Sequence, residues 1–440
     1  MRRKIRLAWI AAPIAGAAAL VGALAWSAPE DRNRGDIYRQ LELFADVLAR
    51  VERDYVTEID EAEAMEAAIQ GMLASLDPHS SYMSAAEYRE MQLQTRGEYG
   101  GLGIEITQDE GVIRVVSPID ETPASRAGIQ AGDYITAVDG QSIVGLTVTE
   151  AVTRMRGAAG SAITLTIARE ATEPFDVAIT REIINVRSVT ARIDGGDVGI
   201  IRISTFNERT SAMLQDSIRS VRRDTGGRLR GVVLDLRNNP GGLLDSAIEV
   251  SDAFLDRGEV VSTRGRQPED VQRYNARPGD DLANVPIVVL VDGASASAAE
   301  IVAGALQDRN RALLVGVTSF GKGSVQTVIP LQGGRDGALR LTTARYYTPA
   351  GRSIQGAGIE PDVEVAARRI DPERMRRLRL SEADLPNALD NEDGARRRGP
   401  HVPADQPPEN WDAGEDYQMS RALELLRQGQ VAERLRARAG

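Results

Sequence analysis

The sequence predicts an α/β core, preceded by a small mixed module and by a helical N-terminal region. Three textures point to this. After Asp197 short apolar runs alternate with helical-period segments; between about Gly97 and Glu182 brief β-type runs are separated by Gly, Pro and Asp; and from Asp36 to Met91 apolar residues recur at helical spacing. At 440 residues the chain is long for a single domain, and two or three are expected.

Residues 1–30 read as an export segment. Arg2, Arg3, Lys4 and Arg6 precede an uncharged, Ala-rich run from Leu7 to Trp26. A basic start before an apolar stretch is read by the translocation machinery. The run is long enough to cross a bilayer, and Ala23-Leu24-Ala25 offers a small-residue cleavage site, so secretory peptide and retained anchor both stand. Either way the bulk of the chain is expected outside the cytoplasm, in the periplasm or on the outer face of the inner membrane.

Residues 31–96 are expected to be helical. Ile37, Leu41, Phe44, Val47, Leu48 and Val51 form one stripe, Ala64–Leu76 a second segment ended by Asp77-Pro78, and Ser84–Gln94 a third, opened by a Ser84/Glu87 capping box.

Residues 97–182 form the mixed module. Strands are predicted at Leu102–Thr107, Val112–Val116, Tyr134–Val138 and Ile163–Ala168, with helices near Ala124–Ala127 and Thr149–Met155. The stretch Gly101-Leu102-Gly103-Ile104 lets backbone N–H groups converge on a terminal carboxylate, and the strand after it offers an edge for β-augmentation. Followed by Ala127-Gly128-Ile129-Gln130-Ala131-Gly132-Asp133, it closely resembles a PDZ domain. That resemblance implies binding of extended protein C-termini at Gly101, Leu102, Gly103 and Ile104.

Residues 183–370 carry the core. Strands at Val198–Ile203, Gly231–Leu236, Ile287–Val291 and Ala312–Val317 alternate with helices at Ser211–Arg222, Leu243–Leu255 and Ser297–Asp308, implying a largely parallel sheet. Residues 371–440 read as a polar tail, with a disordered linker over Asp390–Trp411 and an amphipathic helix near Tyr417–Leu435.

Composition excludes several chemistries. The net charge of −11 argues against nucleic-acid binding, which needs clustered Lys and Arg. No cysteine is present, so thiol catalysis, disulfides and Cys-based zinc sites are out. The two histidines, His79 and His401, lie in a polar turn and a Pro-rich tail, which leaves little basis for a Ser-His-Asp triad.

Serine chemistry with another base remains. Ser297 stands where a buried strand gives way to a helix, with the N–H of Ala298 beside its hydroxyl at the positive end of the helix dipole. The alternative for Ser297 is a plain helix cap with Glu300. A lysine can act as base if burial depresses its pKa, and Lys322 lies between two glycines at the start of the apolar run Val325–Leu331. Strand alternation would put Gln326 on the face of Lys322, where its amide could orient the amine without adding a countercharge. Gly316–Lys322 matches the first seven positions of a P-loop, but Gly323 replaces the magnesium-binding Ser/Thr and a strand-like run follows, so nucleotide binding is discounted.

Together, Leu236-Arg237-Asn238-Asn239-Pro240-Gly241-Gly242, Ser295-Ala296-Ser297-Ala298-Ala299-Glu300 and Phe320-Gly321-Lys322-Gly323-Ser324-Val325-Gln326, behind a PDZ-like module, resemble the carboxyl-terminal processing (tail-specific) serine peptidases. The resemblance implies a ClpP/crotonase-like α/β protease core and a Ser-Lys dyad of Ser297 and Lys322, oriented by Gln326. It also implies an oxyanion hole from the N–H of Ala298 and a glycine of the 240–242 turn, with Gly241 preferred over Gly242. No metal or cofactor is implied. Expected partners are proteins with unstructured C-termini, while an adaptor or lipoprotein activator and a homo-oligomer stay open; membrane contact would be through the N-terminal segment alone. The competing reading is a non-catalytic PDZ scaffold that only binds protein C-termini. Hydrolysis of small amides or esters is disfavoured, since a PDZ module serves polypeptides.

Overall fold

The computed structural model describes residues 30–109, 111–119, 121–170, 172–369, 381–395, 402–412 and 414–439. The export segment and His401 lie outside them. The chain divides into two units, residues 1–67 and 68–440. In the first, helix α1 (Glu30–Asp54) is followed by the start of α2 (Glu61–Ala74). The expected apolar stripe is on α1, but Ile37, Leu41, Phe44, Val47 and Val51 are all exposed. None of the described helices is long and apolar enough to cross a membrane.

The second unit begins within α2. It continues with a short strand β1 (Ser81–Met83) and helix α3 (Ala85–Thr95), whose Ser84/Glu87 capping box is formed as expected. Next comes a ribbon strand β2 (Glu98–Gly101) and then the mixed module: β3 (Ile104–Asp109), β4 (Val112–Pro118), α4 (Pro123–Arg126), β5 (Tyr134–Val138), β6 (Gln141–Ser142), α5 (Val148–Met155), β7 (Ala162–Ala168) and β8 (Phe175–Thr180). The sheet order is β3-β4-β5-β7-β8, so β3 lies at an edge. Ile113, Ile135, Ile143, Leu165 and Ile167 are its buried centre. Strand β9 (Glu182–Asn185) returns to pair antiparallel with β2, so one ribbon holds both ends of the module.

The core follows: β10 (Val189–Asp194), β11 (Val198–Ile203), α6 (Thr210–Asp224), β12 (Gly231–Asp235), α7 (Leu244–Asp252), β13 (Gly258–Arg264), β14 (Val271–Ala276), β15 (Ile287–Val291), α8 (Ala298–Asp308), β16 (Ala312–Gly316), β17 (Ser324–Pro330), β18 (Ala338–Tyr347) and β19 (Val363–Glu364). The main sheet runs β10-β11-β12-β15-β16-β19, parallel except for the β10–β11 pair. Strands β12, β15 and β16 are buried at every position, because helices cover both faces of a parallel sheet. On one face Leu214, Val250, Val302 and Leu306 from α6, α7 and α8 pack on Leu234 and Val289. The antiparallel sheet β1-β18-β13-β14, with β17 paired to β18, was not legible in the sequence pattern.

The tail corrects one expectation. The described parts of the supposed disordered linker are folded onto the core. Asn391 Nδ2 donates to the Gln355 carbonyl at 2.7 Å, and the Asp405 carbonyl accepts from Ala366 N–H at 2.9 Å. The polar residues here meet backbone groups of core loops rather than water. The final helix is two, α9 (Tyr417–Arg427) and α10 (Gln430–Ala439), broken where Gly429 takes φ +70°. Met419, Ala422, Leu423 and Leu426 of α9 cover the second face of the main sheet.

Candidate active site

Parallel sheets place their sites beyond the carboxyl ends of the strands, and here the ends of β12 and β15 converge. After β12 the turn is held by Asn239, which is fully buried. Its amide donates to the Ile203 carbonyl at 2.8 Å, its Oδ1 accepts from Gly241 N–H at 2.9 Å, and its carbonyl accepts from Ala296 N–H at 2.9 Å. Arg237 of the same turn pairs with Asp235 and with Asp416, the N-cap of α9, so it anchors the tail to this turn.

After β15, Ser295 is consumed structurally: its hydroxyl donates to the Leu236 carbonyl at 2.8 Å and accepts from Asp292 N–H at 2.9 Å. Ser297 differs. It is the N-cap of α8, with φ 54° and ψ −114°. A non-glycine residue here is strained, and strain of this kind persists where the surroundings over-determine it, often at functional sites. The Ser297 hydroxyl lies within interaction range of the Tyr346 phenol. Burial drives that phenol well above its ordinary pKa, so it stays protonated. Ala298, as the first helical residue, has an N–H with no acceptor inside α8.

Glu300 is the residue that sequence reasoning undervalued. The sequence suggests a helix cap, and its Oε2 does accept from Ser297 N–H at 2.7 Å. The same carboxylate also accepts from Lys322 N–H at 2.9 Å, Gly321 N–H at 2.7 Å and the Ser319 hydroxyl at 2.5 Å. It is fully buried, and that burial pushes its pKa up to about 7 against the pull of four donors. One buried acid thereby fastens the Ser297 turn to the Lys322 loop.

Lys322 is part-buried, and loss of solvation lowers its pKa, with Arg340 acting in the same sense and Glu382, Glu300 and Asp77 opposing. Among the described residues no hydrogen bond joins the Lys322 amine to Ser297 or to Gln326. Gln326 instead donates to Ser324 Oγ at 3.0 Å and Thr342 Oγ1 at 3.1 Å. Lys322 precedes β17, which starts only at Ser324, and the register with β18 slips between Val325 and Gln326, so strand alternation does not carry from Lys322 to Gln326. Thr342 in turn donates to Asp77 Oδ1 at 3.0 Å. Burial would raise the Asp77 pKa, but donors from Ser80, His79 and Thr342 outweigh it and hold the carboxyl below its usual range.

The two glycines of the 240–242 turn have different surroundings. Gly241 has φ +98°, and a Cβ there would lie 2.8 Å from Ser297 Cβ, so this turn abuts the serine. Its N–H, the favoured oxyanion donor, is already bonded to Asn239. A Cβ on Gly242 would meet the Phe206 carbonyl at 2.0 Å.

In the mixed module a groove between β3 and α5 is lined by Gly101, Leu102, Gly103 and Ile104 together with Val152 and Arg156. It lies along the free edge of β3, where an extended peptide could add a strand.

Comparison with known proteins accords with this architecture. A model described as Peptidase family S41 matches residues 197–365, a PDZ domain model matches 114–169, and one described as Activating protease CtpB N-terminal domain matches 23–87. The Carboxy-terminal-processing protease of Bartonella bacilliformis is 49% identical over 403 residues, 90% of each chain. A Probable CtpA-like serine protease of Staphylococcus aureus is 39% identical over 315 residues, 71% of this chain and 62% of its own length. A solved photosystem II D1 C-terminal processing protease, 29% identical, aligns over 79% of this chain and 98% of its own with a TM-score of 0.45.

Proposed function

The chain belongs to the carboxy-terminal-processing serine peptidases of family S41 and carries a PDZ domain; on that premise we propose that Ser297 is the nucleophile and Lys322 its general base. The observation that carries the reading is the shared Glu300 carboxylate, which ties the backbone of both residues together in a buried site. A lysine stripped of solvent can be neutral and accept a proton.

In the proposed reaction Lys322 Nζ takes the Ser297 proton as Oγ bonds to the peptide carbonyl carbon. The oxyanion accepts from Ala298 N–H and from a glycine amide of the 241–242 turn. The C–N bond then breaks and the Lys322 ammonium returns the proton to the leaving amine; water, deprotonated by Lys322, attacks the acyl ester, and the Oγ–C bond breaks as that proton passes back to Ser297 Oγ. The hydroxyl must first leave Tyr346 for the lysine, a change that substrate binding would drive. Gln326 acts in the same network, linked through Thr342 to Asp77. The Gly101–Ile104 groove would capture substrate tails. The basic, then apolar N-terminus supports export.

The test is turnover of a denatured protein with an apolar C-terminus. Ser297→Ala and Lys322→Ala should each lose at least about 10³-fold in kcat/KM. Undiminished activity in Lys322→Ala would falsify the base assignment, and tail binding without turnover by the wild-type chain would favour a scaffold.

A further inference from the structure

The segment after residue 380, beyond the matched S41 span of residues 197–365, packs against the Lys322 loop. Glu382 is almost wholly buried. Its N–H donates to the Phe320 carbonyl at 3.1 Å, just ahead of Lys322. Its Oε1 accepts from Gln355 Nε2 at 3.1 Å, and Gln355 Oε1 accepts from Gly323 N–H at 3.0 Å, just after Lys322. Both carboxylate oxygens lie 2.8–2.9 Å from His79 Nε2. The segment therefore grips the lysine loop on both flanks. A Ser381/Asp384 capping pair shapes it, and Asn387 tethers it to the Ala74 carbonyl at 3.0 Å.

We propose that residues 381–387 are a clamp supplied in cis to the Lys322 loop, and that the buried Glu382 carboxylate is a positioning residue that orders this loop and imposes its negative charge on the Lys322 amine. The proposal rests on Lys322 being the base. The charged groups that bear on the amine are Glu382, Glu300 and Asp77 on one side of the balance and Arg340 on the other; His79 and Gln355 bear on Glu382 itself. Of these charges Glu382 acts most strongly on the amine, and a nearby anion favours the ammonium form, so Glu382 opposes the loss of the proton that burial promotes. His79, which serine-triad logic would assign to catalysis, here holds the clamp's carboxylate in place.

The experiment is the pH dependence of kcat/KM for the full chain and its Glu382→Gln variant on a denatured protein with an apolar C-terminus, with thermal melts alongside. Glutamine keeps the shape and loses the charge. The acid limb should move to lower pH by about one unit, close to a tenfold gain at a fixed pH on that limb. A folded variant whose limb coincides with the wild type overturns the proposal, even if its melting temperature falls, because a purely structural role moves stability alone. Should Glu382→Gln not fold, Glu382→Asp withdraws the charge by one methylene and should shift the limb less, in the same direction; an unmoved limb there is equally fatal. Lys322→Ala separates the two ideas. Full activity in it removes the base and the clamp together, whereas an inactive Lys322→Ala with an unmoved Glu382→Gln limb removes only the clamp's role.

Discussion

The backbone N–H groups of Ser297 and Lys322 donate to the same oxygen, Glu300 Oε2, at 2.7 and 2.9 Å. Two segments separated by a helix and a strand are thus registered by one carboxylate, and predictions about this site begin there.

Glu300→Gln should lower kcat by about 10- to 100-fold with a smaller change in KM, because an amide offers one acceptor where four donors converge. Steady-state kinetics decides it; an unchanged kcat would reduce Glu300 to packing.

Glu300 also predicts a pH effect on stability. Its folded pKa of about 7 lies above the ordinary glutamate value of 4.5, so the folded chain binds this proton more tightly than the unfolded one. The contribution is full below about 4.5 and is lost as pH rises through about 7, on the order of 3 kcal/mol. Urea titrations at pH 5 and pH 8 should show that loss in the wild type and a flatter difference in Glu300→Gln.

Lys322→Met should be inactive yet melt at a higher temperature at neutral pH. Burial depresses the folded pKa of Lys322, so holding it protonated costs stability, and that cost vanishes only as pH rises through the folded value toward 10.5. A lower melting temperature for the methionine variant would show that the lysine is not a desolvated amine.

Gly241→Ala and Gly242→Ala should part company. The first, at φ +98°, brings a methyl to 2.8 Å from both Ser297 Cβ and the Ala296 carbonyl, and should cost at least about 100-fold in kcat with the smaller loss of stability of the two. The second drives a Cβ into the Phe206 carbonyl and should destabilise the chain by roughly 3 kcal/mol or more. Paired melts and kinetics separate them.

Val152→Asp, on the α5 side of the groove, should raise KM for a substrate with an apolar tail by about tenfold and change kcat less. Equal KM for both proteins would mean that tails are not held there.

The local pattern of residues was enough to single out Ser297 and Lys322 as candidates. A serine among alanines after an unbroken apolar strand, and a lysine between glycines before another, carry their meaning within a few positions. The alternation of strands and helices, and the parallel sheet it demands, were legible for the same reason: backbone hydrogen bonding and burial repeat at short period. What the sequence could not determine depends on partners brought together by folding. Glu300 looked like a cap because three of its four donors lie about twenty residues on. Gln326 was placed by a strand period that a bulge interrupts. The polar stretch near Asp390 looked like a linker because its partners, such as Gln355, are invisible to local composition. Periodicity reports which side of an element is buried, whereas only the folded chain decides which distant donor meets which acceptor, and that is where the charges of this site are set.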